Sequence, residues 1–136
     1  MMNQEERREV LKNSKHIAVV GLSDKPHRTS YQVTEALLDA GYEITPVNPV
    51  VEEVFGRKAV ASISELGDDV DIINVFRRSE YLPELAEETV KTNIPVFWAQ
   101  TGVYNEEAEK LLNEHGKKVA MDYCIKVEHA VLIGKK

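Results

Sequence analysis

His16-Ile17-Ala18-Val19-Val20-Gly21 is a nearly unbroken apolar run closed by glycine, and its reading decides the fold. A strand with one wet face alternates apolar and polar residues, whereas a strand apolar throughout is buried on both faces, as in parallel sheets. After the polar turn Leu22–Thr29, a helix is expected from near Ser30. Val33, Leu37 and Ala40 recur at helical spacing with Ala36 beside them, and Gly41 ends the pattern. Glu43–Val47 reads as the next strand, stopped by Pro49. Strand, helix and strand within about 32 residues make a βαβ unit, whose crossover is right-handed.

Working outward, residues 3–13 read as a short charged helix that docks through Val10 and Leu11. Phe55-Gly56-Arg57 suggests a turn, Lys58–Ala61 a short edge strand and Ile63–Leu66 a helical turn. Val70–Val75 is a further buried strand. It leads through Phe76-Arg77-Arg78 to Ser79, an expected N-cap for a helix carrying Leu82, Leu85, Ala86, Thr89 and Val90. Ile94–Trp98 reads as a strand and Asn105–His115 as a helix packed through Ala108, Leu111 and Leu112. Lys117–Met121 is expected to add a short strand, and Val127–Ile133 a tail closing one edge of the sheet. The alternation specifies an α/β chain, a three-layer Rossmann-like sandwich with a five- or six-stranded, mostly parallel sheet. No internal boundary, repeat or low-complexity segment interrupts it, so residues 1–136 read as one domain whose first 13 residues form an N-terminal helix.

Bulk properties narrow the functions. A chain of 136 residues suffices for one sheet covered on both faces, not for a cofactor domain joined to a full catalytic domain. The formal charge of -6 disfavours a general nucleic-acid binder, because an acidic surface repels phosphate backbones. Cys124 is the single cysteine, which removes internal disulfides and cysteine-rich metal sites and fits a reduced cytoplasm. The first residues carry no basic segment leading into an apolar stretch, and every apolar run is too short to cross a bilayer. Neither a secretory signal nor a membrane anchor is expected.

In an open α/β sheet, ligands lie beyond the carboxyl ends of the strands where strand order reverses. The first such end is Gly21 to Ser30. A helix start offers unpaired N–H groups that favour phosphate, Ser23, Thr29 and Ser30 add hydroxyl donors, and Arg28 adds a forked cation. The same stretch also reads as a plain polar loop with Thr29 or Ser30 as N-cap. The second and third glycines of the dinucleotide fingerprint are missing, and so is a Gly-Lys-Ser/Thr phosphate loop. Where a nicotinamide dinucleotide's ribose would meet an acidic residue, this chain has Pro46-Val47-Asn48-Pro49, either a rigid turn or a neutral wall for adenine. Phe76 offers an apolar ledge, with Arg77 or Arg78 reaching a phosphate or forming surface ion pairs. Trp98, Gln100 and Gly102 stand at the next strand end, Trp98 as core or as pocket lining. Cys124 reads as a small buried hydrophobe or as a thiol able to meet a thioester or a thiol cofactor. His16, His27, His115 and His129 match no zinc spacing along the chain.

Taken in order, Val19-Val20-Gly21-Leu22-Ser23 with Pro26, Arg28, Ser30 and Tyr31, then Gly41-Tyr42 with Pro46-Val47-Asn48-Pro49, then Val75-Phe76-Arg77-Arg78, Trp98-Ala99-Gln100-Thr101-Gly102 and Met121-Asp122 with Cys124 carry a family likeness. The chain resembles the small bacterial and archaeal CoA-binding proteins, which are similar to the N-terminal CoA-binding domain of the succinyl-CoA synthetase alpha chain. The resemblance spans roughly residues 12–130. It implies a Rossmann-like fold and coenzyme A as cofactor. The loop from Gly21 to Ser30, including Pro26, would then hold the pyrophosphate. Val47, Asn48 and Pro49 would flank the adenosine opposite Phe76 and Arg77, and the loop with Trp98, Gln100 and Gly102 would either face the pantetheine arm or shape its exit. Compared with the synthetase, the second domain with its phosphorylated histidine is missing, so ligase activity is not expected. The expected function is binding of CoA or an acyl-CoA without turnover, as carrier, sensor or accessory protein. The alternatives are an enzyme acting on an acyl-CoA thioester or using NAD(P), and a regulatory module whose fold has lost its ligand. A homodimer covering a sheet edge is one expected assembly.

Overall fold

In a computed structural model describing residues 1–134, the chain builds one five-stranded sheet between two helical layers. Helix α1 spans Gln4–Asn13 and is opened by a capping box: the Asn3 side chain accepts from the Glu6 N–H while Glu6 reaches back to the Asn3 N–H. β1 follows at His16–Val20, buried at every position. α2 is Thr29–Asp39, and β2 is Glu43–Val47. β3 (Glu53–Val54) and β4 (Arg57–Lys58) form a two-residue hairpin outside the sheet. β5 (Ile72–Val75), α3 (Leu82–Val90), β6 (Val96–Ala99), α4 (Glu106–Glu114), β7 (Lys118–Ala120) and α5 (Ile125–Leu132) complete the order.

The sheet runs β2-β1-β5-β6-β7, parallel throughout. From β1 the chain winds outward to β2, then returns to β5 on the other side of β1 and winds the opposite way. Strand order therefore reverses between β1 and β5, and their carboxyl ends, Val20 and Val75, flank the switch point. Alternate residues feed separate cores. Ile17 and Val19 pack with Val10 and Leu11 of α1, Val33 and Leu37 of α2 and Ile125 of α5. Ala18, Val20, Ile73 and Val75 pack with Leu82, Leu85 and Ala86 of α3 and Ala108 and Leu112 of α4. These are the three expected layers.

Three expectations are corrected. The edge strand over Lys58–Ala61 shrinks to one bridge, Val60 to Val47, because Glu53–Lys58 folds back on itself instead. Lys118–Ala120 is consequently the fifth strand of the sheet, not the sixth. The tail Val127–Ile133 belongs to α5 and its C-cap, packed against α1 and α2 instead of closing an edge of the sheet. Ser79 does not cap α3: a 3-10 turn over Ser79–Tyr81 intervenes, and the Ser79 hydroxyl accepts from the Tyr104 N–H at 3.0 Å. Among the described residues, no helix is long and apolar enough to cross a membrane.

Candidate functional site

Gly21 ends β1 at φ 81, a backbone state that costs a glycine nothing. Its N–H donates to the Val47 carbonyl and the Phe76 N–H donates to the Val20 carbonyl, so the three strand ends are held in register one residue past the strands. The chain then rises through an exposed loop to α2. That helix has Arg28 as N-cap, no side-chain cap and no acidic residue in its first turn. Ser30, the expected alternative cap, is otherwise engaged: its Oγ accepts from the Ser23 N–H at 3.0 Å and ties the loop down. The first-turn N–H groups of α2 are left aimed at the loop, with the field of the helix start behind them.

Three adjoining cavities surround Phe76. One of about 440 Å³ is lined by Gly21, Ser23, His27, Arg28, Thr29 and Ser30 together with Phe76. A second, about 390 Å³, lies between the β2 end (Val47, Asn48, Pro49) and Phe76 and Arg77. A third, about 600 Å³, runs from Thr29, Phe76 and Arg77 past Gln100 and Gly102 to Cys124. Shared walls make them one crevice: Gly21 borders the first two, Thr29 the first and third, Arg77 the second and third. It is open space, not filled by side chains.

Two cations border it without carboxylate partners among the described residues. Arg28 is exposed on the loop, and the half-buried Arg77 guanidinium stands 4.3 Å above the Tyr81 ring. Arg78 differs, being exposed and 4.0 Å from Glu80. Other polar groups are already engaged. Asn48 donates to the Leu22 carbonyl and accepts from the N–H groups of Val50 and Val51, which fixes the wall's shape. Buried Gln100 donates to the Asn74 side chain and accepts from the Ile125 N–H. The Asp122 carboxylate accepts from the Gly102 N–H at 2.6 Å and so orients the backbone of that loop.

Twelve of the fourteen residues singled out from sequence therefore meet at this crevice. Trp98 does not: it is fully buried, and its indole N–H donates to the Tyr123 carbonyl at 2.9 Å, which places it in the core beneath the Cys124 segment. Pro26 shapes the loop but lines none of the three cavities. Sequence reasoning missed the wall formed by Ala61, Ser62, Ile63, Leu85 and Glu88. The burial of Leu85 on the sheet-facing side of α3 was its one local signal.

Comparison with known proteins points the same way. A family model described as CoA binding domain matches residues 15–130. The chain is 60% identical over 126 residues to the uncharacterized protein YneT of Bacillus subtilis, covering 93% of each. It is 33% identical to the acetate–CoA ligase (ADP-forming) I subunit alpha of Pyrococcus furiosus over 82% of this chain, which spans only 24% of that subunit. A solved hypothetical protein from Pyrococcus horikoshii superposes with a TM-score of 0.92 at 37% identity, over 98% of this chain and 94% of that one.

Proposed function

The chain belongs to the CoA binding domain family, and from that premise we propose that the crevice around Phe76 binds coenzyme A or an acyl-CoA as carrier, sensor or accessory site, without turnover of its own. The observation that carries this is the uncapped start of α2 opening into a crevice at the strand switch point. In this reading the pyrophosphate sits over Gly21, Ser23 and the Thr29–Ser30 backbone, with Arg28 and Arg77 closing on its charge. Adenine lies between the Val47–Pro49 wall and Phe76. The pantetheine arm follows Gln100 and Gly102 toward Cys124. The likeness to the ligase subunit covers about a quarter of that protein, so its overall reaction is not carried across. An acidic charge of -6 supports a small-molecule ligand over nucleic acid, and one cysteine supports a reducing, cytoplasmic setting.

Calorimetric titration of cofactor-stripped protein with CoA, set against ADP, ATP, NAD and NADP, tests the reading. Saturable 1:1 binding with CoA clearly tighter than ADP is expected, since the arm fills the third cavity. Equal binding of all adenine nucleotides, or none, overturns it. Sedimentation of the same samples tests for a homodimer.

A further inference from the structure

At the opposite end of the sheet from the crevice, β1 and β2 begin with His16 and Glu43 as register partners. Thr45 lies two residues along β2 on the same face, so the imidazole of His16 spans the pair. Its Nε2 is 2.7 Å from the Thr45 hydroxyl, while Nδ1 is 3.7 Å from a Glu43 carboxylate oxygen and 3.1 Å from one of Asp69. The ring is buried and the two carboxylates are exposed.

We propose that His16, Glu43 and Asp69 form a binding site for a divalent first-row transition cation, of which Zn²⁺ is the reference case. Ligand atoms bonded to one zinc at about 2.0–2.1 Å stand about 3.3 Å apart in a tetrahedron, close to the two separations at Nδ1. The three donor atoms all lie within 4.8 Å of one another. With the ring proton on Nε2 and donated to Thr45, Nδ1 turns its lone pair toward the carboxylates, the support that a metal-bound imidazole ordinarily has. The backbone holds the set in place. Asp71 accepts from the N–H groups of Lys15 and His16, fixing the start of β1. Gly67 leaves room for Asp69, since a Cβ there would stand 2.8 Å from the Asp69 carboxylate. One imidazole and two carboxylates leave a tetrahedral position open to water, and the imidazole favours zinc-like ions over Ca²⁺ or Mg²⁺. The ion would clip the Gly67–Asp71 segment to the first two strands of the sheet.

Chelator-washed protein is titrated with Zn²⁺ by calorimetry and with Co²⁺ by visible absorption, alongside Mg²⁺. Expected are 1:1 Zn²⁺ binding, intense tetrahedral Co²⁺ bands, a raised unfolding midpoint and no comparable Mg²⁺ affinity. Glu43→Gln and Asp69→Asn, both at exposed positions where the fold is not at stake, are each expected to weaken Zn²⁺ at least tenfold. His16→Gln is expected to abolish the Co²⁺ bands. Absence of saturable Zn²⁺ binding overturns the site, as does binding unchanged in Glu43→Gln and Asp69→Asn. CoA affinity, read on the same samples, belongs to the other end of the sheet and is expected to stay constant.

Discussion

Gly21 lies directly against the carbonyl of Phe76: a Cβ built on Gly21 would stand 2.5 Å from that oxygen, and 3.3 Å from the Arg77 side chain. The contact is between the carboxyl ends of the two strands at which the sheet reverses its order. Nothing larger than hydrogen fits on the side of Gly21 that faces Phe76, and the obstructing atom is backbone, which moves only if β5 moves.

Gly21→Ala therefore combines a left-handed backbone with a clash. The expected cost is about 2–4 kcal/mol, measured by urea unfolding. CoA affinity of the folded fraction should fall as well, because relief of the clash pushes Phe76 into the crevice it borders. Wild-type stability and affinity in this variant would contradict the geometry.

Arg28 and Arg77 approach the same anion from two sides in the proposed complex. Each alanine substitution is expected to weaken CoA by roughly 1–3 kcal/mol, the range for a charge-assisted contact, with a smaller loss in high salt. Arg8→Ala, on the exposed side of α1, is the control and should leave affinity unchanged. If Arg28→Ala or Arg77→Ala behaves like that control, the phosphate role of that side chain falls.

Cys124 borders the third cavity but has no base or orienting partner hydrogen-bonded to its sulfur among the described residues. Cys124→Ser is expected to keep CoA affinity within about twofold, a few tenths of a kcal/mol. Loss of a thioester-cleaving activity in this variant, with binding intact, would instead favour the enzymatic alternative.

How much of this was legible in the sequence depends on whether the deciding contact was local. β1 declared itself because a strand buried on both faces has no polar alternation to confuse it. The Gly21–Ser30 loop did so because strand, turn and helix start are consecutive. α5 was hidden by Val127 and Val131, apolar residues that face solvent and blur the helical spacing of Ile125 and Leu132. The Trp98 ambiguity was settled by the Tyr123 carbonyl, 25 positions away in the chain, which satisfies the indole inside the core. The Ala61–Ile63 and Leu85–Glu88 wall comes from two distant segments, and no local pattern announces a cavity between them.

Arg7 lies on the charged helix α1, whose expected docking residues were Val10 and Leu11 alone, yet it too is buried, between α1 and α5. Its Nε is 2.5 Å from Glu128, an Nη donates to the Met2 carbonyl, and the guanidinium lies 4.0 Å over the Tyr123 ring. Arg7→Met leaves the Glu128 carboxylate sheltered without a partner, and a loss of about 3 kcal/mol is expected in urea unfolding. Adding Glu128→Gln should restore a good part of it. Independent, additive losses would show that the two side chains are not coupled.

Tyr42 sets an alkaline limit on the fold. Its hydroxyl donates to the Leu11 carbonyl at 2.5 Å, joining the start of β2 to the end of α1, and burial pushes its pKa up to about 12 from 10.0. The charged form of tyrosine is the deprotonated one, so the fold retains a proton that the unfolded chain releases first. This contribution is fully present below pH 10 and is lost as pH rises from 10 to 12. Two pKa units correspond to a loss of roughly 3 kcal/mol at most across that window. Tyr42→Phe lacks the proton and the hydrogen bond alike. It should be less stable than the wild type at pH 8 by about 1 kcal/mol, and as pH rises from 10 to 12 the gap should close and then reverse, leaving Tyr42→Phe the more stable protein at the alkaline end. Chemical denaturation at a series of pH values, run on both proteins, reads the difference directly; a gap that stays constant through the alkaline window would mean that Tyr42 is not the group whose ionisation weakens the fold.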